Sequence, residues 1–107
     1  MPGRQAMRPA NLVPAVHLFV CVNRRDEGAP LGPGCGDMGE AVYEVMKGEV
    51  AKRSAYRAVW ITRTHCLGQC PKSGCTVAVY PRQRVLTEVE GKDAAKVLSD
   101  ALGEAQQ

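Results

Sequence analysis

Five cysteines in 107 residues, at positions 21, 35, 66, 70 and 75, constrain this chain more than any other feature. An odd count leaves one thiol over in any fully paired disulfide framework, and such frameworks belong to oxidising compartments reached through an export signal. Met1 to Ala15 carries Arg4 and Arg8 and no acidic residue, but Pro2, Pro9 and Pro14 interrupt it and it lacks the continuous apolar stretch of a secretory signal. Residues 1–15 are therefore expected to be a flexible extension, with an organelle-targeting segment the alternative, residues 16–107 the folded domain, and the setting cytoplasmic. Reduced thiols in that setting bind metal or carry out redox chemistry.

Composition excludes several alternatives. At 45% hydrophobic and 23% charged, the chain has the size and balance of one soluble domain. A core this small gains from a metal or cluster clamp. The formal net charge of +3 arises from 14 Lys and Arg against 11 Asp and Glu, scattered along the chain, and only 5% of residues are aromatic. No basic stripe and few stacking platforms argue against nucleic-acid binding. No run approaches the roughly 20 apolar residues that cross a bilayer, so no membrane role is expected.

Hydrophobic patterning predicts the order strand, helix, strand, strand, strand, helix. Val16 to Val22 is an apolar run read as a buried strand that ends at Cys21. Asn23 to Gly36 is rich in Gly and Pro and reads as a loop closed by Cys35. From Asp37 to about Lys52, Met38, Val42, Val45, Met46 and Val50 recur near helical spacing, with Asp37 and Glu40 placed as a capping pair. Cys35 then sits at the positive end of a helix, where a thiolate is favoured. Ala58 to Thr64 reads as a second buried strand. Thr76 to Tyr80 and Val85 to Val89 read as a hairpin, and Ala94, Val97, Leu98, Ala101 and Leu102 mark a closing helix. A strand, a helix and a strand in succession imply a crossover with β-strands one and two parallel. The expected fold is α/β of thioredoxin-like type: a mixed four-stranded sheet, two parallel strands plus an antiparallel hairpin, covered by two helices.

Such a topology brings Cys21, Cys35, Cys66 and Cys70 toward one edge of the sheet. Four thiolates suit zinc or an iron-sulfur cluster. Structural zinc favours tight cysteine pairs, which the thirteen residues between Cys21 and Cys35 do not provide, whereas a [2Fe-2S] core can take ligands from separate loops. A thiol-disulfide enzyme would carry C-x-x-C opening a helix, and here the close pair is C-x3-C in a loop. Cys75 reads as a small buried hydrophobe at the start of the third strand, with a role as spare ligand the other possibility. His17 starts a strand far from the loops, and His65 reads as a supporting or surface residue rather than a ligand.

The strand end Cys21-Val22-Asn23, the helix opening Cys35-Gly36, and Thr64-His65-Cys66-Leu67-Gly68-Gln69-Cys70 followed by Val77-Ala78-Val79-Tyr80-Pro81 resemble the thioredoxin-like [2Fe-2S] ferredoxins. The likeness spans about Ala15 to Leu102, with a more distant one to the cluster-bearing small subunit of respiratory NADH dehydrogenase. It implies a one-electron carrier, commonly a homodimer, whose [2Fe-2S] ligands match Cys21, Cys35, Cys66 and Cys70; with no evident substrate pocket or acid-base pair in the sequence, no enzyme activity is expected. The chain departs from the family at Ser73-Gly74-Cys75, where a Gly-Pro is common, and in being basic, which suggests redox partners with acidic docking surfaces. Alternatives are a non-redox interaction module with a four-cysteine zinc site, and an iron-sulfur protein that shields another redox enzyme. At a cluster site, Gly34, Gly36 and Gly68 would let the chain approach closely enough for backbone N–H groups to face the sulfurs, and Arg24, Arg25, Arg63 and Lys72 would either raise the reduction potential or stand as solvated surface charges screened by salt.

Overall fold

The computed structural model describes residues 7–24, 35–65 and 74–105. Its elements are β1 (Val16–Cys21), α1 (Gly36–Lys52), β2 (Val59–Thr64), β3 (Cys75–Tyr80), β4 (Arg84–Val89) and, after a 3-10 turn at Gly91–Asp93, α2 (Ala94–Ala105). This is the expected order, with ends moved by a residue. Val22 falls outside β1 yet still donates its N–H to the Thr64 carbonyl at 2.8 Å, whereas Ala58 turns back to bond Ala55 at 3.1 Å.

The sheet order is β2-β1-β3-β4. β1 and β2 run parallel, from Val16 opposite Val59 to Cys21 opposite Thr64. β3 runs antiparallel to β1, with His17 opposite Tyr80 and Val20 opposite Val77, and β4 antiparallel to β3. The mixed four-stranded sheet with two helices is thus the one expected from the sequence.

Both helices lie on one face of the sheet, since α1 packs on β1, β2, β3 and α2, and α2 also meets β1. Between them Val16, Leu18, Val20, Val42, Met46, Val77 and Leu98 are buried. Burying each such side chain contributes about 1.5–3 kcal/mol before entropy is counted. The opposite face carries an aromatic group: His17 stacks on Phe19 with ring centroids 4.1 Å apart, and Trp60 and Tyr80 meet that pair edge-on. Partial burial lowers the pKa of His17.

Three expectations are corrected, the first two by one-sided coverage. β2 is an edge strand whose residues alternate, so Trp60 is exposed on the helix-free side while Val59 and Ile61 are buried. In α1 the buried stripe is Gly36, Gly39, Val42, Met46 and Val50, and Met38 and Val45 lie exposed on its flanks. Spacings of three and four from Gly39 define the stripe, and the other two apolar residues fall outside it. The helix begins one residue earlier than expected, so Cys35 rather than Asp37 occupies the N-cap, without a side-chain hydrogen bond. Asp37 lies in the first turn, where its charge favours the positive helix end. Residues 7–15 form no regular element, and Met7, Leu12 and Val13 are exposed.

Candidate metal centre

Two of the four candidate ligands fall within the described residues. Cys21 closes β1 and Cys35 caps α1, with 1% and 2% of their surface exposed, both in the same core cluster. What joins them is a close approach of helix to strand end. Gly36 donates its N–H to the Asn23 carbonyl at 2.9 Å, tying the helix start to the chain just past Cys21. Gly39 then lies so near β1 that a Cβ there would stand 1.9 Å from the Cys21 carbonyl oxygen. The positive end of α1 is thereby held against the end of β1, where it offsets added negative charge.

β2 delivers the next segment to the same edge. The Cys21 thiol donates to the His65 carbonyl at 3.0 Å, and His65 immediately precedes Cys66. The His65 side chain is exposed, consistent with a supporting or surface role. Cys66 and Cys70 lie outside the described residues, as do Gly34, Gly68, Arg25 and Lys72. His17 sits at the far end of β1, its Nε2 2.7 Å from Thr62 Oγ1, and stays apart from the thiols.

Cys75 opens β3 and is fully buried, as its reading as a small hydrophobe expects. Burial pushes its thiol up to about 12, and the negative charges available to Cys35 and Cys21 push the same way. Those two charges act on Cys75 because the three sulfurs share one end of the core. Cys35 and Cys75 carry free thiols. Among the described residues no group of three or more His, Cys, Asp or Glu is arranged to hold a metal ion. The donor set nevertheless fits an iron-sulfur group: buried sulfur ligands at a helix N-terminus suit a soft, anionic centre and not a hard, oxygen-seeking cation.

The charges around the thiols differ from expectation. Arg24 pairs with Asp37 at 2.5 Å, and Arg63 pairs with Glu40 at 3.0 Å and Glu44 at 3.4 Å. Carboxylates on the first turns of α1 therefore offset both arginines, which weakens their expected pull on a reduction potential. The Gly36 N–H is likewise spent on Asn23 rather than aimed at a sulfur. Sequence reasoning overlooked Gly39, the His65 carbonyl and the Arg63 contacts. Only the first left a readable signal, a glycine inside a helical pattern.

No family model matches the chain, and no curated protein matches it. Solved structures do. The wild-type thioredoxin-like [2Fe-2S] ferredoxin from Aquifex aeolicus superposes with a TM-score of 0.74 at 26% identity, covering 85% of this chain and 88% of that one. A second structure of that ferredoxin also gives 0.74 at 26% identity, over 86% and 84% of the two chains. A cysteine-to-serine variant gives 0.73 at 25% identity, over 83% and 88%. The resemblance read from the cysteine pattern thus holds in three dimensions, and the chain has the fold of the thioredoxin-like [2Fe-2S] ferredoxins.

Proposed function

We propose that the protein is a one-electron carrier that holds a single [2Fe-2S] cluster on Cys21, Cys35, Cys66 and Cys70 and passes electrons between redox partners. The observation that carries this reading is the meeting of Cys21 and Cys35 at one buried end of the sheet, beside the start of α1 and the exit of β2 toward Cys66. The similarity to the Aquifex aeolicus ferredoxin supports the choice of cofactor.

When bound, such a cluster takes up and returns one electron without bond rearrangement. The chain's own residues set the conditions for it. Burial of Cys21 and Cys35 keeps water from the sulfurs, which lowers the local dielectric and makes each nearby dipole count for more. The N-terminus of α1 offsets part of the negative charge that reduction adds. The close seat of Gly39 on Cys21 fixes the elements that carry Cys21 and Cys35 against each other. We read the protein as a carrier rather than an enzyme, and its net charge of +3 as suited to partners with acidic docking surfaces.

A homodimer and a cytoplasmic setting belong to the same proposal. Trp60, Tyr80 and Val85 stay 37%, 40% and 49% exposed, and they give a second copy an apolar surface to cover. Among the described residues no helix is long and apolar enough to cross a membrane.

Metal and sulfide analysis of anaerobically purified protein tests the central claim. It should give about two iron and two acid-labile sulfide per chain, against one zinc for the rival site. Cys21→Ala and Cys66→Ala should each abolish or severely weaken incorporation. Colourless, iron-free wild-type protein refutes the proposal. Light scattering with Trp60→Glu tests the dimer: a wild-type protein monomeric at high concentration removes that part.

A further inference from the structure

Arg63 reaches from β2 onto one face of α1. Its Nε donates to both oxygens of Glu40, at 3.0 and 3.1 Å, and its Nη2 to Glu44 Oε1 at 3.4 Å. Its Cζ lies 3.9 Å from the centroid of the Tyr43 ring. Glu40, Tyr43 and Glu44 are spaced by three and four, so all three face β2 from the first turns of the helix that Cys35 caps. On the strand side, Arg63 stands just before the end of β2, with His65 and Cys66 directly beyond.

An isolated exposed ion pair adds little to stability. A guanidinium that shares its Nε–H between both oxygens of one carboxylate, reaches a second carboxylate through Nη2 and lies on an aromatic ring is different, because several partners on one helix face fix its position as well as its charge. With two carboxylates facing one guanidinium, Arg63 does not make the neighbourhood positive. What it does is join the element that delivers Cys35 to the one that delivers Cys66.

We infer that Arg63 is a positioning residue for the cluster site, clamping the exit of β2 to α1 through Glu40, Glu44 and Tyr43. The inference rests on the cluster reading above. Its test uses the full-length, cluster-loaded protein and the variants Arg63→Lys, Arg63→Met and Glu40→Gln. Three properties are measured: the rate at which a chelator bleaches the visible absorbance, the electron paramagnetic resonance of the reduced form, and thermal unfolding of the cluster-free protein.

A clamp requires that Arg63→Lys, which keeps the charge but loses the planar group that spans Glu40 and Glu44 and stacks on Tyr43, behave like Arg63→Met. Both should bleach about 10-fold faster than wild type, at the low end of what loss of an outer-sphere partner costs in metal affinity. Both should also show altered resonance lines. Glu40→Gln should act in the same direction, and combining it with Arg63→Lys should add less than the two single effects together. Wild-type bleaching and resonance in Arg63→Lys overturn the clamp. So does a lower unfolding temperature with unchanged bleaching and resonance, because that marks a purely structural role. If Arg63→Met fails to fold, Glu40→Gln carries the same comparison. Wild-type protein that takes up no iron or sulfide fails the cluster reading instead, so the two failures are distinct.

Discussion

Gly39 and Gly48 lie in the same helix and should respond to alanine in opposite directions. Alanine in a helix interior is favoured over glycine by about 1 kcal/mol, because glycine loses more backbone freedom on folding. At Gly48 nothing lies within 4 Å of the added methyl, so Gly48→Ala should stabilise by nearly that amount. At Gly39 the methyl would stand 1.9 Å from the Cys21 oxygen, 2.9 Å from its carbonyl carbon and 3.2 Å from the Val22 Cα. All three are backbone atoms, so no side-chain rotation relieves the overlap.

The first turn of α1 must retreat by more than about 1 Å to restore an ordinary carbon-oxygen contact of about 3.3 Å. That retreat loosens the seat of Val42 and Met46, both fully buried, on the sheet. Overpacking of this kind costs about 1–3 kcal/mol, and the loosened packing adds to it. We expect Gly39→Ala to destabilise by a net 2 kcal/mol or so once the propensity gain is subtracted, and to loosen the Cys21 and Cys35 site. Urea unfolding of the cluster-free protein measures the first effect, and iron content after purification the second. In a domain of this size each kcal/mol moves the melting temperature by about 4–8 °C. If Gly39→Ala and Gly48→Ala fall within about 0.5 kcal/mol of each other, the close approach of helix to strand does not constrain the fold as argued.

The thiol of Cys75 gives a pH prediction. The unfolded chain releases this proton near the ordinary value of 9.0 and the folded one holds it to about 12, so the stability it contributes is intact below pH 9 and is lost as pH rises from 9 toward 12. Denaturation of the cluster-free protein across that range should show the decline, and a slope unchanged in Cys75→Ala contradicts it. Leu98→Ala should cost about 2–5 kcal/mol, because Leu98 is fully buried between helix and sheet. The half-buried Leu102 should cost clearly less, and equal losses in calorimetry would place the core elsewhere.

Period and punctuation made the elements legible. The alternation or apolar run of each strand, the stripe of α2 from Ala94 to Ala101, and the Gly and Pro stretches between them all report local preferences, which need no knowledge of the partner surface. The strand-helix-strand order was enough to place β1 parallel to β2. Sequence also singled out four cysteines as candidates, because thiols spread over such intervals suit few inorganic centres, and the structure places two of them, Cys21 and Cys35, in one buried cluster. It could not say which face of an edge strand would stay uncovered, so Trp60 was expected inside and stands exposed.

The remaining features depend on where separate elements meet. Arg63 read as a cation beside the site or a solvated surface charge until α1 brought Glu40 and Glu44 against it, and nothing in the sequence showed that the Gly36 N–H would bond the Asn23 carbonyl. Pairings between residues distant in sequence leave no period in either partner, because each is set by the relative placement of two elements and not by the residues within one. The amino-acid sequence by itself therefore determined the elements and their order. Only tertiary packing decided the meeting of Cys21 and Cys35 in one buried cluster, the pairing of the nearby arginines with carboxylates of α1 and the exposure of Trp60, Tyr80 and Val85, because those are properties of contacts made across the fold.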